Sequence, residues 1–412
     1  MTDTAGGPGG GKGTLGPGAG SSATGGGLRR VRRRRWLRRA SLVTVAVLVG
    51  AAAIGWTLYT KLDGNITPDE AAAAELARYE RERPTALVRG AQNVLVIGSD
   101  SRSGKDNARY GRDPGTERSD TAILLHLAAG RRSATAVSLP RDLMVAVPGC
   151  RRPDGSRTEP VFTMFNYAFE VGGSACSIRT VEKLTGIRVD HHVVVDFHGF
   201  KEMVDAVDGV EICLPEPVDD KAARLRLPAG RSTLDGERAL GYVRVRKSLG
   251  DGSDTDRMER QQRFLGAFVS KVRSNDVLLN PVKLYPVLNA ATSALTTDPA
   301  LANLRGLYDL VRGLRNIPTE AVQFLTVPRE SWPRDANRDQ LAQPAAQRLF
   351  TRLRTDEPVA VARESGTGNS HGHGTYGHGD TPSAEKPSGP PGQNASSAPT
   401  FRGNTAAEDA CG

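Results

Sequence analysis

Residues 120–140 read "DTAILLHLAAGRRSATAVSLP", and this stretch decides the fold. Two apolar runs of strand length flank a short Ala-Gly pair, so the stretch predicts a strand, a turn and a second strand. "QNVLVIG" at 92–98 and "DHHVVVDF" at 190–197 indicate further buried strands, and helical patterns lie between and after them. Strands that alternate with helices predict an α/β (α+β) domain over residues 90–354, with a central mixed sheet flanked by helices.

The two ends of the chain have a different composition. Residues 1–27 are mostly Gly, Ser, Thr, Ala and Pro, and the chain has almost no aliphatic residues from Glu364 onward. Such segments bury too little apolar surface to offset the entropy lost on ordering. The sequence therefore predicts a disordered tail over 1–39, which ends in an Arg cluster, and a second disordered tail over 355–412.

A basic cluster stands directly before an apolar run. Eight Arg lie between positions 29 and 39, and residues 40–60 carry no charged side chain. A helix over 40–60 spans roughly 30 Å at about 1.5 Å per residue, the thickness of a bilayer's hydrocarbon core. We expect one uncleaved transmembrane helix, because a cleaved signal peptide has a shorter apolar region and a small-residue cleavage site. The Arg cluster predicts a cytoplasmic N-terminus, so the chain after Lys61 is expected on the extracytoplasmic side of the cell membrane.

Residues 61–89 connect this helix to the folded region. Thr67 and Glu70 form a capping-box pattern, Pro68 stands at the first helical position, and Pro84 ends the helical pattern. We expect a stalk helix and a linker that lift the domain off the membrane.

The formal net charge of +9 is distributed unevenly. Residues 1–39 contain nine Lys and Arg and one acidic residue, so the rest of the chain has a net charge of about +1. Nucleic-acid-binding domains usually carry a broadly basic surface, and an extracytoplasmic domain faces no chromosome. Nucleic acid is therefore excluded as a partner, and the remaining Arg clusters indicate local sites.

Charged residues stand where predicted strands end. Four segments supply them: Asp100 and Arg102; Arg118 and Asp120; Arg141 and Asp142; and Arg244, Arg246, Arg257 and Gln261. Arg244 and Arg246 have the spacing of one strand face, and Gln261 follows Arg257 by one helical turn. Each segment alone is compatible with solvated surface charge. Together they predict a pyrophosphate site with a divalent cation, because arginine forks bind phosphate oxygens and paired aspartates bind hard cations.

Histidine and cysteine have other expected roles. The histidines His126, His191, His192 and His198 lie in or beside predicted strands, where we expect packing or capping. Cys150 and Cys176 flank a polar loop, and an exported domain permits disulfides, so these two are predicted to pair. Cys213 is interpreted as a small buried apolar side chain, and Cys411 lies in the tail.

Six motifs within residues 92–272 carry a resemblance to a known family. They are, in chain order, "NVLVIGSDSR", "RSDTAILLHL", "AVSLPRDLMVAVPG", "GFKEMVDAVDGVEICLPEPV", "LPAGRSTLDGERALGYVRVRK" and "DTDRMERQQRFL". With these motifs the chain resembles the LytR-CpsA-Psr family of bacterial cell-wall proteins. A single N-terminal transmembrane helix with the domain outside is also that family's arrangement.

The resemblance implies a magnesium-dependent phosphotransferase. Its donor would be an anionic glycopolymer, such as a teichoic acid, linked through polyprenyl pyrophosphate to membrane lipid, and its acceptor a muramic acid hydroxyl of peptidoglycan. By position, Asp100 and Asp120 correspond to the ligands of Mg²⁺, or alternatively Mn²⁺. The residues implied to contact the pyrophosphate are Arg118, Arg141, Arg244, Arg246, Arg257 and Gln261. Arg118 and Asp120 are the implied catalytic residues, with Arg118 closest to the transition state.

Four further interpretations stand beside this one, two about individual residues and two about function. Lys247, Arg260 and Arg263 are interpreted as solvated or rim charges. Phe197, Phe200 and Met203 are candidates for a lipid pocket, with ordinary core packing as the alternative. A pyrophosphatase acting on the same lipid-linked donor would use the same site with water as the nucleophile. A non-enzymatic envelope regulator, after the family's label of transcriptional attenuator, is disfavoured by the predicted topology.

Overall fold

A computed structural model describes residues 26–99, 119–221, 223–245, 254–274, 281–362 and 400–408. The chain divides into two units, Met1–Tyr59 and Thr60–Gly412. The second unit thus begins about thirty residues before the predicted domain start at residue 90.

Helices and strands alternate along the second unit. The α-helices among the described residues are α1 (Gly26–Asp63), α2 (Glu70–Arg78), α3 (Asn166–Thr185), α4 (Phe197–Ala206), α5 (Gly236–Arg244), α6 (Asp254–Arg273), α7 (Pro281–Ala294), α8 (Leu304–Arg315) and α9 (Ala345–Arg354). The strands are β1 (Thr67–Pro68), β2 (Gln92–Ser99), β3 (Ser119–Leu127), β4 (Ala134–Leu139), β5 (Met144–Val147), β6 (Val161–Met164), β7 (His191–Asp196), β8 (Val210–Leu214), β9 (Val218–Asp220), β10 (Leu225–Leu227), β11 (Gly230–Leu234), β12 (Leu295–Thr297), β13 (Val322–Thr326), β14 (Arg329–Trp332), β15 (Asp335–Leu341), β16 (Ala360–Ala362) and β17 (Thr400–Thr405).

Nine strands form the central sheet, in the order β1-β12-β7-β2-β3-β4-β13-β17-β16. β2 pairs in parallel with β7 and antiparallel with β3. β4 pairs antiparallel with β3, through the predicted turn, and in parallel with β13. The sheet is therefore mixed.

Core side chains lie on both faces of this sheet. Along β3, Leu124 belongs to a cluster that includes Phe165 and Phe350, from the region of α3 and α9. The preceding residue, Ile123, belongs to a second cluster against which Leu310 of α8 packs. Successive strand residues point to opposite faces, so each face buries an apolar layer under helices. This confirms the predicted fold class, a mixed sheet flanked by helices.

The first unit contains most of α1. Its segment Trp36–Asp63 is long and apolar enough to cross a membrane. Apolar side chains such as Leu48 and Ile54 are exposed along it, as a lipid-facing helix requires. The segment contains the predicted span of 40–60.

The segment predicted as a stalk is part of the domain. Ala72 and Leu76 of α2 are buried in the main core, and β1 pairs in parallel with β12. Asp69 caps α2 by accepting a hydrogen bond from the Ala72 N–H at 3.0 Å. The stalk interpretation is wrong, because a nine-residue helix is marginal alone and gains its stability from burying its apolar face.

The predicted C-terminal tail also contributes to the sheet. β17 pairs antiparallel with β13 and in parallel with β16, and Phe401 is buried in the main core. Disorder over the whole of 355–412 is therefore a wrong prediction for residues 360–362 and 400–405. Residues 363–399 lie outside the described part of the chain.

Cysteines cross-link the domain. The predicted pair Cys150 and Cys176 forms a disulfide, with the two Cα atoms 5.6 Å apart. A Cβ at Gly172 would lie 2.8 Å from the Cβ of Cys176 and 3.0 Å from that of Cys150, so only glycine fits beside this bond. Cys213 is disulfide-bonded as well, and its interpretation as a merely buried apolar side chain is wrong.

Candidate functional site

The predicted charged segments meet at one edge of the sheet. Ser99 at the end of β2 is paired with Asp196 at the end of β7, and Ser138 near the end of β4 is paired with Thr326 at the end of β13. The antiparallel β3 begins at this edge, with Asp120 as its second residue. The carboxyl ends of parallel strands are the usual ligand position of such sheets.

Arg141 and Asp120 form an ion pair at this edge. Arg141 Nη1 donates to Asp120 Oδ1 at 2.8 Å, and Arg141 Nε donates to Asp142 Oδ2 at 3.2 Å. Asp120 keeps 33% of its side chain exposed. Its Oδ2 atom has no hydrogen-bond partner within the described segments. The guanidinium is thus fixed by two carboxylates while an oxygen donor stays accessible.

Arg244 reaches the edge from a helix and not from a strand. It is the last residue of α5, which Asp235 caps by accepting a hydrogen bond from the Arg238 N–H at 2.8 Å. Its guanidinium carbon lies 4.8 Å from the centroid of the Phe197 ring, directly after β7. The predicted strand spacing of Arg244 and Arg246 is therefore wrong for Arg244. The helical propensity of the preceding Glu-Arg-Ala-Leu run outweighs the short Val-Arg alternation.

α6 crosses the same edge and is held there by buried amides. Gln262 Nε2 donates to Ser138 Oγ on β4 and to Thr326 Oγ1 on β13, both at 3.0 Å. The side-chain amide of Gln261 donates to the Val243 carbonyl oxygen of α5 at 3.3 Å. Arg257, one turn earlier, is buried. Gln262 was missed by sequence reasoning, since a polar residue within a charged run gives no sign of being buried.

Two basic residues of this helix were predicted as solvated charges. Arg260 is 5% exposed and donates to the Val245 carbonyl oxygen, so that prediction is wrong for Arg260. Burial lowers the pKa of its guanidinium, although an arginine stays charged. Arg263 has 54% of its side chain exposed, and its Nη2 atom lies 3.6 Å from Glu259 Oε2. This exposure agrees with the predicted solvated charge.

Several predicted site residues lie outside the described part of the chain. They are Asp100, Arg102, Arg118 and Arg246, and Lys247, which was predicted as a rim charge, lies there as well. Among the described residues, Asp120 and Arg141 form an ion pair at the sheet edge and Arg244 lies against Phe197 there, while Arg257 and Gln261 belong to α6, which crosses this edge. The roles assigned to all of these residues remain predictions.

The described residues include one of the two predicted magnesium ligands. Asp120 offers a hard carboxylate oxygen at a half-exposed position, which is the donor type that Mg²⁺ takes. No cluster of three or more His, Cys, Asp or Glu suitable for a metal occurs among the described residues. The second predicted ligand, Asp100, follows the described end of β2.

Two of the four predicted histidines, His126 and His192, have structural roles as expected, whereas His198 is 42% exposed and pairs with Glu202. His126 Nδ1 lies 2.8 Å from Asn93 Oδ1, and His192 Nε2 lies 3.1 Å from Asp69 Oδ2. His126 near the end of β3 and His192 near the start of β7 lie toward the sheet edge opposite the candidate site. Their polar partners show that they tie core elements together.

A cavity of about 1060 Å³ lies beside α6. Gln262 and Thr326 line its end at the sheet edge, and Tyr242, Val327 and Phe401 supply apolar wall. The lipid-pocket candidates Phe197, Phe200 and Met203 do not line it. Phe200 instead packs against Phe264, with ring centroids 5.5 Å apart, which supports its interpretation as a core residue.

Comparison with known proteins places the chain among relatives. Residues 63–355 match the LytR_cpsA_psr family. The chain is 40% identical over 210 residues to the probable cell wall biosynthesis protein LcpB of Corynebacterium glutamicum, covering 50% of this chain and 47% of that protein. It is 26% identical over 310 residues to the polyisoprenyl-teichoic acid–peptidoglycan teichoic acid transferase TagT of Bacillus subtilis, covering 72% of this chain and 88% of TagT. The chain thus spans about half the length of the first of these relatives.

A solved structure shares the fold. The LytR-Csp2A-Psr enzyme from Actinomyces oris superposes with a TM-score of 0.52 at 22% identity, over 66% of this chain and 93% of that one. The family match covers the whole central sheet except its C-terminal strands, and it includes every described residue of the candidate site. The chain belongs to the LytR_cpsA_psr family.

Proposed function

We propose that this protein is a membrane-anchored phosphotransferase, which moves an anionic glycopolymer from a polyprenyl-pyrophosphate carrier to peptidoglycan. The observation that supports the proposal is that the Asp120–Arg141 ion pair and the Arg244 guanidinium lie at the carboxyl edge of the sheet, where α6, the helix of Arg257, also packs. The names of relatives such as TagT, a teichoic acid transferase, support the substrate class.

The proposed reaction is a displacement at phosphorus. A peptidoglycan hydroxyl oxygen forms a bond to the phosphorus that carries the glycan, and the bond from that phosphorus to the polyprenyl phosphate oxygen breaks. The proton of the attacking hydroxyl is taken up by the departing polyprenyl phosphate. Such a transfer requires positioning and charge stabilisation more than covalent help from the protein.

The arginines of the site supply that stabilisation. Arg141 is held by ion pairs with Asp120 and Asp142, so its guanidinium would already be in place at the sheet edge before a substrate binds. Arg244 and Arg257, on α5 and α6, supply positive charge from the neighbouring side. Preorganised donors stabilise charge that develops on phosphate oxygens without a cost of reorganisation.

The predicted metal would be held by Asp120 and Asp100. A bound Mg²⁺ would neutralise charge on the two phosphates. Asp120 would then serve two neighbours at once, with Oδ1 on Arg141 and Oδ2 toward the cation. Arg118, two residues before Asp120, remains the residue proposed to stabilise the transition state most closely.

The apolar walls of the cavity beside α6 are the proposed place for the first prenyl units of the donor. Tyr242, Val327 and Phe401 would contact the chain, and Gln262 marks where the cavity meets the sheet edge. The Arg cluster between 29 and 39 supports a cytoplasmic N-terminus and an extracytoplasmic domain. The lipid-linked donor would be in the same membrane.

One reconstitution tests the proposal. The full chain in nanodiscs, given Mg²⁺, a lipid-pyrophosphate glycan and peptidoglycan oligomers, is expected to form glycan-linked peptidoglycan and polyprenyl phosphate. Release of free glycan phosphate at the same rate with or without peptidoglycan would identify a pyrophosphatase and overturn the transfer proposal. Absence of both products, while TagT forms the linked product in parallel, would overturn the enzyme proposal.

A further inference from the structure

α8 (Leu304–Arg315) has an apolar stripe wider than the domain covers. Its sequence "LRGLYDLVRGLR" places the apolar side chains on an arc of about 160°, wider than the roughly 100° stripe that a surface helix needs. Leu310 and Leu314 pack against the core beneath the sheet. Tyr308 and Val311, however, are 61% and 59% exposed, and no residue of the helix is fully buried. The domain therefore leaves an aromatic and a branched aliphatic side chain in solvent.

Glycines fix which side of α8 faces the domain. A Cβ at Gly306 would lie 2.3 Å from the Ala300 carbonyl oxygen, and one at Gly313 would lie 2.9 Å from the Nε atom of Arg131. At about 100° per residue, Gly306, Gly313 and the core-facing leucines occupy one half of the helix. Tyr308 and Val311 fall on the other half.

Exposed arginines border the apolar pair. On the helical projection Arg315 lies between Val311 and Tyr308, and Arg305 and Arg312 follow next to Tyr308. All three arginines are exposed, and none forms an ion pair with a carboxylate in the described segments. Asp309 is the single acidic residue of the helix, so its net charge is about +2. Aromatic and aliphatic side chains with neighbouring arginines are the composition of helices that lie in a membrane interface.

The N-terminus of α8 is tied to the end of the candidate membrane helix. The Leu304 N–H donates to Asp63 Oδ1 at 2.8 Å, and Asp63 is the last residue of α1. Asn65 Nδ2 donates to Asn289 Oδ1 and Thr292 Oγ1 of α7, each at 3.2 Å. Asp63 is four positions after Tyr59, and a chain of that length spans at most about 14 Å in any conformation. Chain connectivity alone therefore keeps the start of α8 near the end of the predicted membrane span.

We propose that the outward face of α8, formed by Tyr308, Val311 and the arginines beside them, binds the membrane surface on the domain's side. The arginines would contact anionic phospholipid headgroups, and Tyr308 and Val311 would enter the boundary between headgroups and acyl chains. The proposal depends on α1 crossing the membrane but not on the reaction that the domain catalyses. It gives the domain a second attachment, which restricts its rotation on the α1 tether.

The test compares positions around one helix in the full chain. Y308C, V311C and D309C variants carry a nitroxide label in nanodiscs of phosphatidylcholine with phosphatidylglycerol. All three positions are exposed, and Asp309 lies on the polar side as the matched control. We expect labels at 308 and 311 to show a several-fold higher ratio of collisions with oxygen to collisions with a water-soluble nickel chelate than the label at 309. Equal, water-like ratios at all three positions would overturn the proposal.

A charge-reversal variant separates the headgroup contact from apolar contact. R305E combined with R312E is expected to move the label at Val311 toward water in the anionic nanodiscs. Replacing phosphatidylglycerol by phosphatidylcholine should have the same effect on the unreversed chain. If the label stays equally deep under both changes, the anionic-headgroup contact is overturned. Transfer activity in the preceding reconstitution is read separately, so failure of one proposal does not imply failure of the other.

Discussion

The guanidinium of Arg141 lies 2.8 Å from the carboxylate of Asp120, across two adjacent antiparallel strands of the central sheet. The two residues are 21 positions apart in the chain. The hairpin of β3 and β4 brings them together, because the second residue of β3 and the second residue after β4 meet at one edge. This ion pair is the part of the candidate site that the described structure defines most fully.

Arg141→Ala is expected to lower kcat/KM of glycan transfer about a hundredfold, because one preorganised donor contributes on the order of 3 kcal/mol to transition-state stabilisation. Arg141→Lys keeps the positive charge but loses the two-pronged hydrogen bonding of the guanidinium. Its rate should therefore fall between that of the unchanged protein and that of Arg141→Ala. The matched control is Arg226→Ala, since that side chain is 87% exposed and pairs with Asp219 only loosely. Equal rates for the two alanine variants would contradict a role for Arg141.

Asp120→Asn is expected to weaken cation binding, because an amide oxygen is a poorer ligand for a hard cation than a carboxylate. Binding of Mn²⁺ to the full chain, followed by electron paramagnetic resonance, measures this directly. Asp142→Asn is the control, since it also removes a carboxylate from Arg141 but not a predicted metal ligand. A Mn²⁺ affinity that changes equally in both variants would argue against Asp120 as a ligand.

Gln262→Ala should lower the free energy of unfolding by about 1–3 kcal/mol, because it leaves the buried hydroxyl of Ser138 and the partly buried hydroxyl of Thr326 without their partner. Denaturant unfolding of the full chain in detergent measures the change. Gln340→Ala removes an exposed amide that bonds to Glu330, and its effect should be near zero. A Gln262 variant as stable as the Gln340 variant would show that the bridge from α6 to the sheet contributes nothing.

Phe401→Ala tests whether the C-terminal strand stabilises the domain. Phe401 is buried in the main core, and removal of a buried phenylalanine typically costs about 3–5 kcal/mol. We expect faster hydrogen exchange of β13 and β17 and a lower melting temperature. Phe162→Ala, at a side chain that is 58% exposed, is the control. A melting temperature equal to that of the control would mean that the side chain of Phe401 on β17 does not stabilise the domain.

The stability of the domain should depend on pH through Asp69. Burial alone would raise the pKa of Asp69, but hydrogen bonds from His192 and the Ala72 N–H outweigh it and lower the pKa below 3.8. A carboxyl group with a lowered pKa in the folded state stabilises the fold above its usual pKa, and this stabilisation is lost as the pH falls through the lowered value.

Asp69→Asn should therefore be less stable than the unchanged protein near neutral pH. It should also lose less stability between about pH 5 and pH 2, because the variant has no carboxylate to protonate. Melting temperatures across this range measure both effects. Asp219→Asn, at an exposed position, should reproduce the slope of the unchanged protein. If the melting temperatures of the Asp69 variant and the unchanged protein fell equally with decreasing pH, a lowered pKa of Asp69 would be contradicted.

Some features of the site followed from the chain alone. Arg141 follows an apolar strand and Asp120 precedes one, so their place at a sheet edge could be predicted from strand periodicity. The pairing of Cys150 with Cys176 was likewise predictable from the expected extracytoplasmic location and the polar loop between them. Arg260 and Gln262 were not, because the same polar letters occur in solvated and in buried helices. Which turn of α6 faces the sheet depends on where β4 and β13 place Ser138 and Thr326.

The sequence by itself determined the mixed sheet, the apolar segment of α1 and the set of charged residues at strand ends, because periodicity, length and charge are local properties. Only the tertiary structure decided that 67–78 and 400–405 belong to the domain, that Arg244 ends a helix, and that the outward face of α8 stays uncovered. Each of these depends on pairing or burial against residues far away in the chain. A short segment with one or two apolar side chains carries no local sign of the partner that will bury it.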